Sequence, residues 1–181
     1  MHALIVYESM YGNTREIAEA IAEGIGDGAL ARHVRDAGAP DEEVDLLIAG
    51  GPTHIHGMTT SLSRHMTIKG AQEDGHGQID PDAVDAPGLR QWLRDLPDRP
   101  DGVAAAFDTR IDRSAAMTGS AARGIAKRLR HHGYEVEWTE SFFVDDAEGP
   151  LADGELERAR EWGATLRAAA PGRLTGGGTR S

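Results

Sequence analysis

Short apolar runs alternate with stretches of helical periodicity along this chain. Ala3–Tyr7 reads Ala-Leu-Ile-Val-Tyr, an unbroken apolar run of the kind found in a strand covered on both faces. Residues 14–25 place Ile17, Ile21 and Ile25 four apart on one stripe, which predicts a helix, and Gly24, Gly26 and Gly28 mark its end. Residues 30–34 predict a second, more polar strand nearer the sheet edge. Residues 45–49 form another continuous apolar run and predict a third strand. A short helix follows over 88–96, with Leu89, Trp92, Leu93 and Leu96 inward, and then a strand over 103–107. Residues 120–132 place Ala121, Ala122, Ile125 and Leu129 at helical spacing. Glu135–Val144 supplies the last strand, and a helix over 156–169 turns Leu156, Ala159, Gly163 and Leu166 inward. Trp92, Trp138 and Trp162 fall at core-like spacings and are read as packing.

Alternating strands and helices predict a parallel sheet with helices on both faces, joined by right-handed crossovers. Residues 70–87 break the pattern with Gly, Asp, Gln, His and Pro, an irregular excursion inside one domain spanning 1–170. Pro171 stops the final helix, and 171–181 reads as a disordered tail. In such sheets ligands sit beyond the carboxyl ends of the strands. The loops expected to carry function are therefore 8–14, 50–63, 108–119 and 145–151.

Charge and composition narrow the partners. A formal charge of -11 repels a phosphate polymer across most of the surface, which argues against nucleic acid and anionic membranes. Cysteine is absent, so thiolate catalysis, redox dithiols and iron–sulfur ligation are excluded. No run approaches a membrane span, and the first residues lack the form of a signal peptide, so a cytoplasmic location is expected.

Within that frame the turn after the first strand stands out. Ser9, Met10, Tyr11, Gly12, Asn13 and Thr14 join a buried strand to a helix N-terminus. Free N–H groups and the helix dipole make such a junction an anion site, and Gly12 permits close approach. An ordinary turn with Asn13 or Thr14 as N-cap fits the same letters. There is no Gly-Lys-Ser/Thr, so a Walker-type loop is excluded. Arg15 reads as a solvated first-turn residue. After the third strand comes Gly50-Gly51-Pro52-Thr53-His54-Ile55-His56-Gly57-Met58. After the fourth come Asp108-Thr109-Arg110 and, before the next helix, Met117-Thr118-Gly119-Ser120.

Together these motifs resemble the flavodoxin-like FMN-binding superfamily over about residues 1–168. The likeness is nearest to short-chain flavodoxin-domain proteins, and the Pro-Thr-x-x-x-Gly-Met stretch resembles a loop of FMN-dependent NAD(P)H:quinone reductases. The resemblance implies a three-layer α/β sandwich with a five-stranded parallel sheet in the order 2-1-3-4-5. That order, with the flavin at its switch point, is itself an instance of the ligand-site rule and comes with the resemblance. It also implies that Ser9, Tyr11, Gly12, Asn13 and Thr14, with Met10 in the same turn, hold the FMN phosphate. Pro52, Thr53, His54 and Gly57, with Ile55 and His56 in the same loop, would line one side of the flavin. Asp108, Thr109 and Arg110 would line the other.

One departure is marked. Electron-transfer flavodoxins sandwich the flavin between aromatic side chains of the third- and fourth-strand loops, and here neither loop supplies one. Stacking would fall to His54, His56, Met58 or Ile111, so FMN binding weaker than in aromatic-clamped relatives is expected. His54 and His56 at i, i+2 lack a third ligand nearby, and no metal site is expected. His131 and His132 suit a helix C-terminus. Asp108 is read either as a flavin-site hydrogen-bonding group or as a loop cap. Asp145 and Asp146 read as solvated turn residues that would add negative charge near a reduced flavin.

No acid, base or nucleophile constellation is evident, so the expected function is electron transfer through FMN to a redox partner protein. The enzyme alternative is an FMN-dependent NAD(P)H:quinone oxidoreductase. A further alternative is a degenerate flavodoxin fold used only for protein contact. A receiver-type signalling domain shares the topology but would need an acidic pair after strand one and a phosphoacceptor Asp after strand three. This chain has Glu8-Ser9 and Gly50-Gly51 there.

Overall fold

The structure, a computed structural model, describes residues 1–54, 57–58, 88–112 and 119–170. In chain order these are β1 (Ala3–Tyr7), α1 (Asn13–Ile25), β2 (Ala29–His33), β3 (Leu46–His54), β4 (Gly57–Met58), α2 (Leu89–Arg94), β5 (Val103–Ile111), α3 (Ala121–His131), β6 (Glu135–Val144) and α4 (Glu155–Ala169). Five strands run parallel in the order β2-β1-β3-β5-β6, and β4 pairs antiparallel with the end of β3. Counted among the parallel strands alone, this is the expected order 2-1-3-4-5.

The strands start level and finish unevenly. Ala3 lies beside Ala29 and Leu46, Leu46 beside Val103, and Val103 beside Glu135. β1 stops at Tyr7, level with Gly50 and Phe107. β3 and β5 continue together past that line, pairing Gly51 with Asp108 and Pro52 with Thr109. Segments expected as loops, 50–54 and 108–111, are therefore strand. Their ladder hydrogen bonds hold them extended although their side chains lack the apolar run that marks a buried strand.

Alternation along the strands builds two cores. Leu4, Val6, Leu47, Ala49, Ala104 and Ala106 face α2 and α3, where Leu89, Leu93, Ile125 and Leu129 bury against them. Ile5, Leu46, Ile48, Ala105 and Phe107 face α1 and α4 and meet Ile17, Ile21, Ala159 and Leu166. Trp92 packs half-buried on the first core, Trp138 and Trp162 on the second. Phe142 and Trp162 meet edge-on at 6.0 Å. The contact between α1 and α4 is backbone on backbone. A Cβ on Gly24 would stand 2.0 Å from the Arg160 carbonyl oxygen, and one on Gly163 would stand 2.3 Å from that of Ile21. No side chain fits at either place.

The short helix begins at Leu89 and ends at Arg94, inside the expected 88–96. The irregular 70–87 and the tail 171–181 lie outside the described residues. Among the described residues no helix is long and apolar enough to cross a membrane, and no group of three metal-ligating side chains converges.

Candidate cofactor cleft

The overhang of β3 and β5 past β1 leaves a step at the carboxyl edge of the sheet, and the β1–α1 turn fills its floor. Gly12 is the N-cap of α1, at φ +91°, with no side chain capping the helix. Asn13 and Thr14, expected as candidate caps, are the first two helical residues instead. The left-handed conformation that glycine tolerates replaces a capping side chain. The Gly12 N–H donates to Ser9 Oγ at 3.1 Å, and Glu16 N–H donates to the Gly12 carbonyl at 3.0 Å. The N–H groups of Met10, Tyr11, Asn13 and Thr14 have no acceptor among the described residues. Four unsatisfied amides around one turn, at the positive end of a helix dipole, form a neutral anion cradle.

Neighbouring elements lock that turn. Thr14 Oγ1 and Thr109 Oγ1 share a 2.7 Å hydrogen bond, fully buried, which ties α1 to β5. Asn13 Nδ2 donates to the Glu148 carbonyl at 3.1 Å, and a Cβ on Gly149 would lie 2.7 Å from Asn13 Oδ1. The 145–151 loop thus packs directly on the start of α1. It is held in turn by Asp145 N–H to the Pro150 carbonyl and Ala152 N–H to that of Phe143. Arg15, expected in solvent, is half-buried, and its guanidinium lies against the outer side of Gly12.

The cleft is lined by Ser9, Met10, Tyr11, Asn13 and Thr14 from the turn, and by Pro52, Thr53, Thr109 and Arg110 from the overhang. Ile111, Val144 and Ala147 complete it. The sequence points to Ile111 only as a stacking residue, reaches Ala147 only as part of the 145–151 loop, and does not single out Val144. Val144 sits beside Ile111 in register, so any residue at the end of the last strand is a neighbour once the sheet order is known. Ile55 and His56 lie outside the described residues, and His54 and Gly57 are placed by their backbone in β3 and β4.

Asp108 sits apart from this group. It is fully buried, and Oδ2 accepts from Thr53 Oγ1 at 3.0 Å, Ser120 Oγ at 2.7 Å and Ala122 N–H at 2.9 Å. Ala121 N–H donates to Thr53 Oγ1 at 2.9 Å, so Asp108 and Thr53 together hold the α3 N-terminus. Of the two expected roles, the cap is the one that the hydrogen bonds describe. Its carboxylate also faces Arg110, 4.0 Å away, whose guanidinium lies 5.0 Å from the Phe143 ring centroid.

Electrostatics inside the cleft centre on Tyr11. Burial raises its phenol above the ordinary 10.0, and the nearby Glu148 carboxylate raises it further. The phenol therefore stays a hydrogen-bond donor at neutral pH.

Residues 5–92 match the family model for flavodoxin. The whole architecture is similar to that of solved flavodoxins. A flavodoxin from the domain Archaea aligns at a TM-score of 0.58 and 18% identity, covering 94% of this chain and 99% of that one. Oxidised flavodoxin 1 from Bacillus cereus aligns at 0.60 and 20%, covering 93% and 99%. Residues 5–92 thus carry the flavodoxin family pattern, and the whole chain has the flavodoxin-like fold. A WrbA-like flavodoxin from Agrobacterium tumefaciens also aligns, at 0.56 and 19%, covering 95% and 98%. No curated protein matches the sequence. FMN is the cofactor that this likeness implies, and a neutral amide cradle at a helix N-terminus is a donor set suited to its phosphate.

The flavodoxin-like chain departs from an aromatic-clamped site in a way now visible side chain by side chain. It has three Trp, three Tyr and three Phe, and all nine are among the described residues. Tyr7, Phe107, Tyr134 and Phe142 are buried, the three Trp are half-buried on the two cores, and Phe143 lies beside Arg110 and Arg158. Tyr11 alone among the nine lines the cleft.

Proposed function

We propose that the chain binds FMN in this cleft and transfers single electrons between protein partners. The observation that carries the reading is the set of four acceptor-less amides at Met10, Tyr11, Asn13 and Thr14 beside the β3–β5 overhang. Bound there, FMN supplies the redox chemistry and the protein supplies position and electrostatics. Ser9 and the amides of Met10, Tyr11, Asn13 and Thr14 would hold the phosphate, with Gly12 shaping the turn and the Ser9 hydroxyl proton free to donate, since its oxygen already accepts from Gly12. Pro52, Thr53, Thr109 and Arg110 would flank the ribityl chain and ring, with His54, Ile55, His56 and Gly57 continuing the β3 side. Asp108 would act on the site indirectly, by fixing Thr53 and α3.

Among the described residues the cleft lining holds no histidine and no carboxylate. A one-electron carrier needs neither, whereas acid–base catalysis needs a positioned proton donor. The placement of all nine aromatics favours a second reading: a flavin face left uncovered gives access to NAD(P)H and a quinone. Titrating FMN into apoprotein by fluorescence quenching tests the binding. Absence of quenching would support the reading of a degenerate fold used only for protein contact. Sustained oxidation of NADPH by the FMN-loaded protein with a benzoquinone would replace the carrier reading with the reductase one.

A further inference from the structure

The chain carries a formal charge of -11, yet α3 contains no acidic residue. Between Ala121 and His132 it has Arg123, Lys127, Arg128, Arg130, His131 and His132. Arg123, Lys127 and Arg130 recur at i, i+4, i+7 and are all exposed, opposite the buried Ala122, Ile125, Ala126 and Leu129. The neighbouring flank adds Arg128, which burial and, to a lesser degree, the like charge of Arg90 on α2 push below its ordinary value.

The arrangement works against the helix's own stability. Like charges at i, i+4 and i, i+3 repel, and Arg123 sits in the first turn, where the macrodipole is already positive. Basic residues in the last turn suit the dipole, which explains Arg128, Arg130 and His131 but not Arg123 or Lys127. Neither Arg123 nor Lys127 pairs with a carboxylate among the described residues, although the chain has 30 Asp and Glu. By contrast, the exposed face of α1 carries Glu16, Glu19 and Glu23, and Arg160 of α4 is held by Glu23 and Glu157.

The stripe starts at the cofactor end. Arg123 lines a groove between α3 and β6 with Arg110, and Arg110 also lines the cleft. From Arg123 to Arg130 it runs about 10 Å along the helix, a ridge suited to an opposing protein surface.

We propose that the outward face of α3, formed by Arg123, Lys127 and Arg130 with Arg128 and Arg90 at its flank, docks a partner protein that presents clustered carboxylates. That partner being a redox protein rests on the FMN reading above; the docking itself does not. On an otherwise acidic molecule, such a patch orients the encounter and excludes basic partners.

A fluorescein-labelled oligoglutamate peptide is the probe, followed by anisotropy at about 20 mM and about 300 mM salt, across which screening of exposed charges changes strongly. The expected result is binding at low salt that is lost at high salt. R123E/K127E is expected to bind at least about tenfold more weakly, whereas R32E/R167E, with the same net charge and both changes remote from α3, retains binding. Equal binding by R123E/K127E and R32E/R167E, or none by the unsubstituted protein, overturns the proposal. Sedimentation that shows a salt-sensitive dimer, abolished by R123E/K127E, overturns it in favour of a second copy of this chain. Circular dichroism confirms that both variants fold, and FMN titration is run beside the peptide. Peptide binding without FMN binding would keep the docking face and reject the flavin reading.

Discussion

Thr14 and Thr109 meet hydroxyl to hydroxyl at 2.7 Å, 95 residues apart in sequence and shielded from water, at the point where the first helix crosses the overhanging strand. One of the two oxygens accepts the other's proton, so one hydroxyl proton remains for a ligand in the cleft. The pair fixes the turn proposed to hold the phosphate to the strand proposed to flank the ring, so that in this reading cofactor affinity and fold stability share a bond. Replacing Thr109 by Val leaves the Thr14 hydroxyl buried and unsatisfied, which costs about 1–3 kcal/mol. Urea denaturation of T14V, T109V and T14V/T109V forms a closed cycle. The double variant is expected to lose less than the sum of the singles, and strict additivity would show that the two hydroxyls do not interact.

Asp108 is a stronger dependency. One carboxylate oxygen accepts three hydrogen bonds, from Thr53, Ser120 and Ala122, with no exposure to solvent. Asp108→Ala strands two hydroxyls and a backbone N–H and leaves Arg110 without its neighbouring charge. The expected loss is about 3–5 kcal/mol by urea or thermal unfolding. Asp108→Asn keeps an acceptor at the same place and is expected to lose markedly less. A D108A protein as stable as the unsubstituted one would remove Asp108 from its capping role.

These two dependencies also show what the sequence conveys. β1 was legible to the residue because unbroken apolar character runs its full length, and β6 because apolar residues recur from Val136 to Val144 with a break only at 139–141. α3 and α4 were legible within a residue at each end because their buried positions keep helical spacing. The overhangs at 50–54 and 108–111 were not. Gly50, Thr53, Asp108 and Thr109 carry no hydrophobic signal, and their extension depends on pairing between strands about 55 residues apart. Gly50 shows why a glycine falls there: a Cβ would stand 2.1 Å from the Phe107 ring on the next strand. The turn at 9–14 was readable from its letters as a junction between strand and helix. Its lock by Thr109 and Glu148 required the sheet order and the path of the 145–151 loop, neither of which is local.

In the FMN reading, Gly12 is where phosphate recognition can be tested apart from flavin recognition. Its φ of +91° is open to glycine and strained for any other residue by about 1–2 kcal/mol. A Cβ there would also stand 3.4 Å from Arg15 Nη2. Gly12→Ala is expected to turn the neighbouring amides and to weaken FMN binding about tenfold or more. Riboflavin, which lacks the phosphate, is expected to bind the variant and the unsubstituted protein alike. Equal loss for both ligands would place the effect on the whole cleft and not on the cradle.

Tyr11 and Glu148 supply a pH-dependent readout of the same turn. Burial is the larger reason that the Tyr11 phenol titrates above 10.0, and the Glu148 carboxylate adds to it. Tyr134 is raised too, mainly by burial, against the opposing pull of Arg99. A group whose folded pKa lies above its unfolded value contributes stability that is fully present below the unfolded pKa and is lost as pH rises through the folded one. Stability to urea is therefore expected to be insensitive to these two phenols below pH 10 and to fall above it. Glu148→Gln removes the smaller cause, so tyrosinate absorbance should show Tyr11 ionising at lower pH in E148Q, still above its ordinary value. With a less repelled phosphate beside the turn, FMN affinity in E148Q is expected to rise modestly and to lose part of its dependence on salt. An unchanged tyrosinate curve would separate the two side chains and leave the 145–151 loop coupled to the cradle only through Asn13.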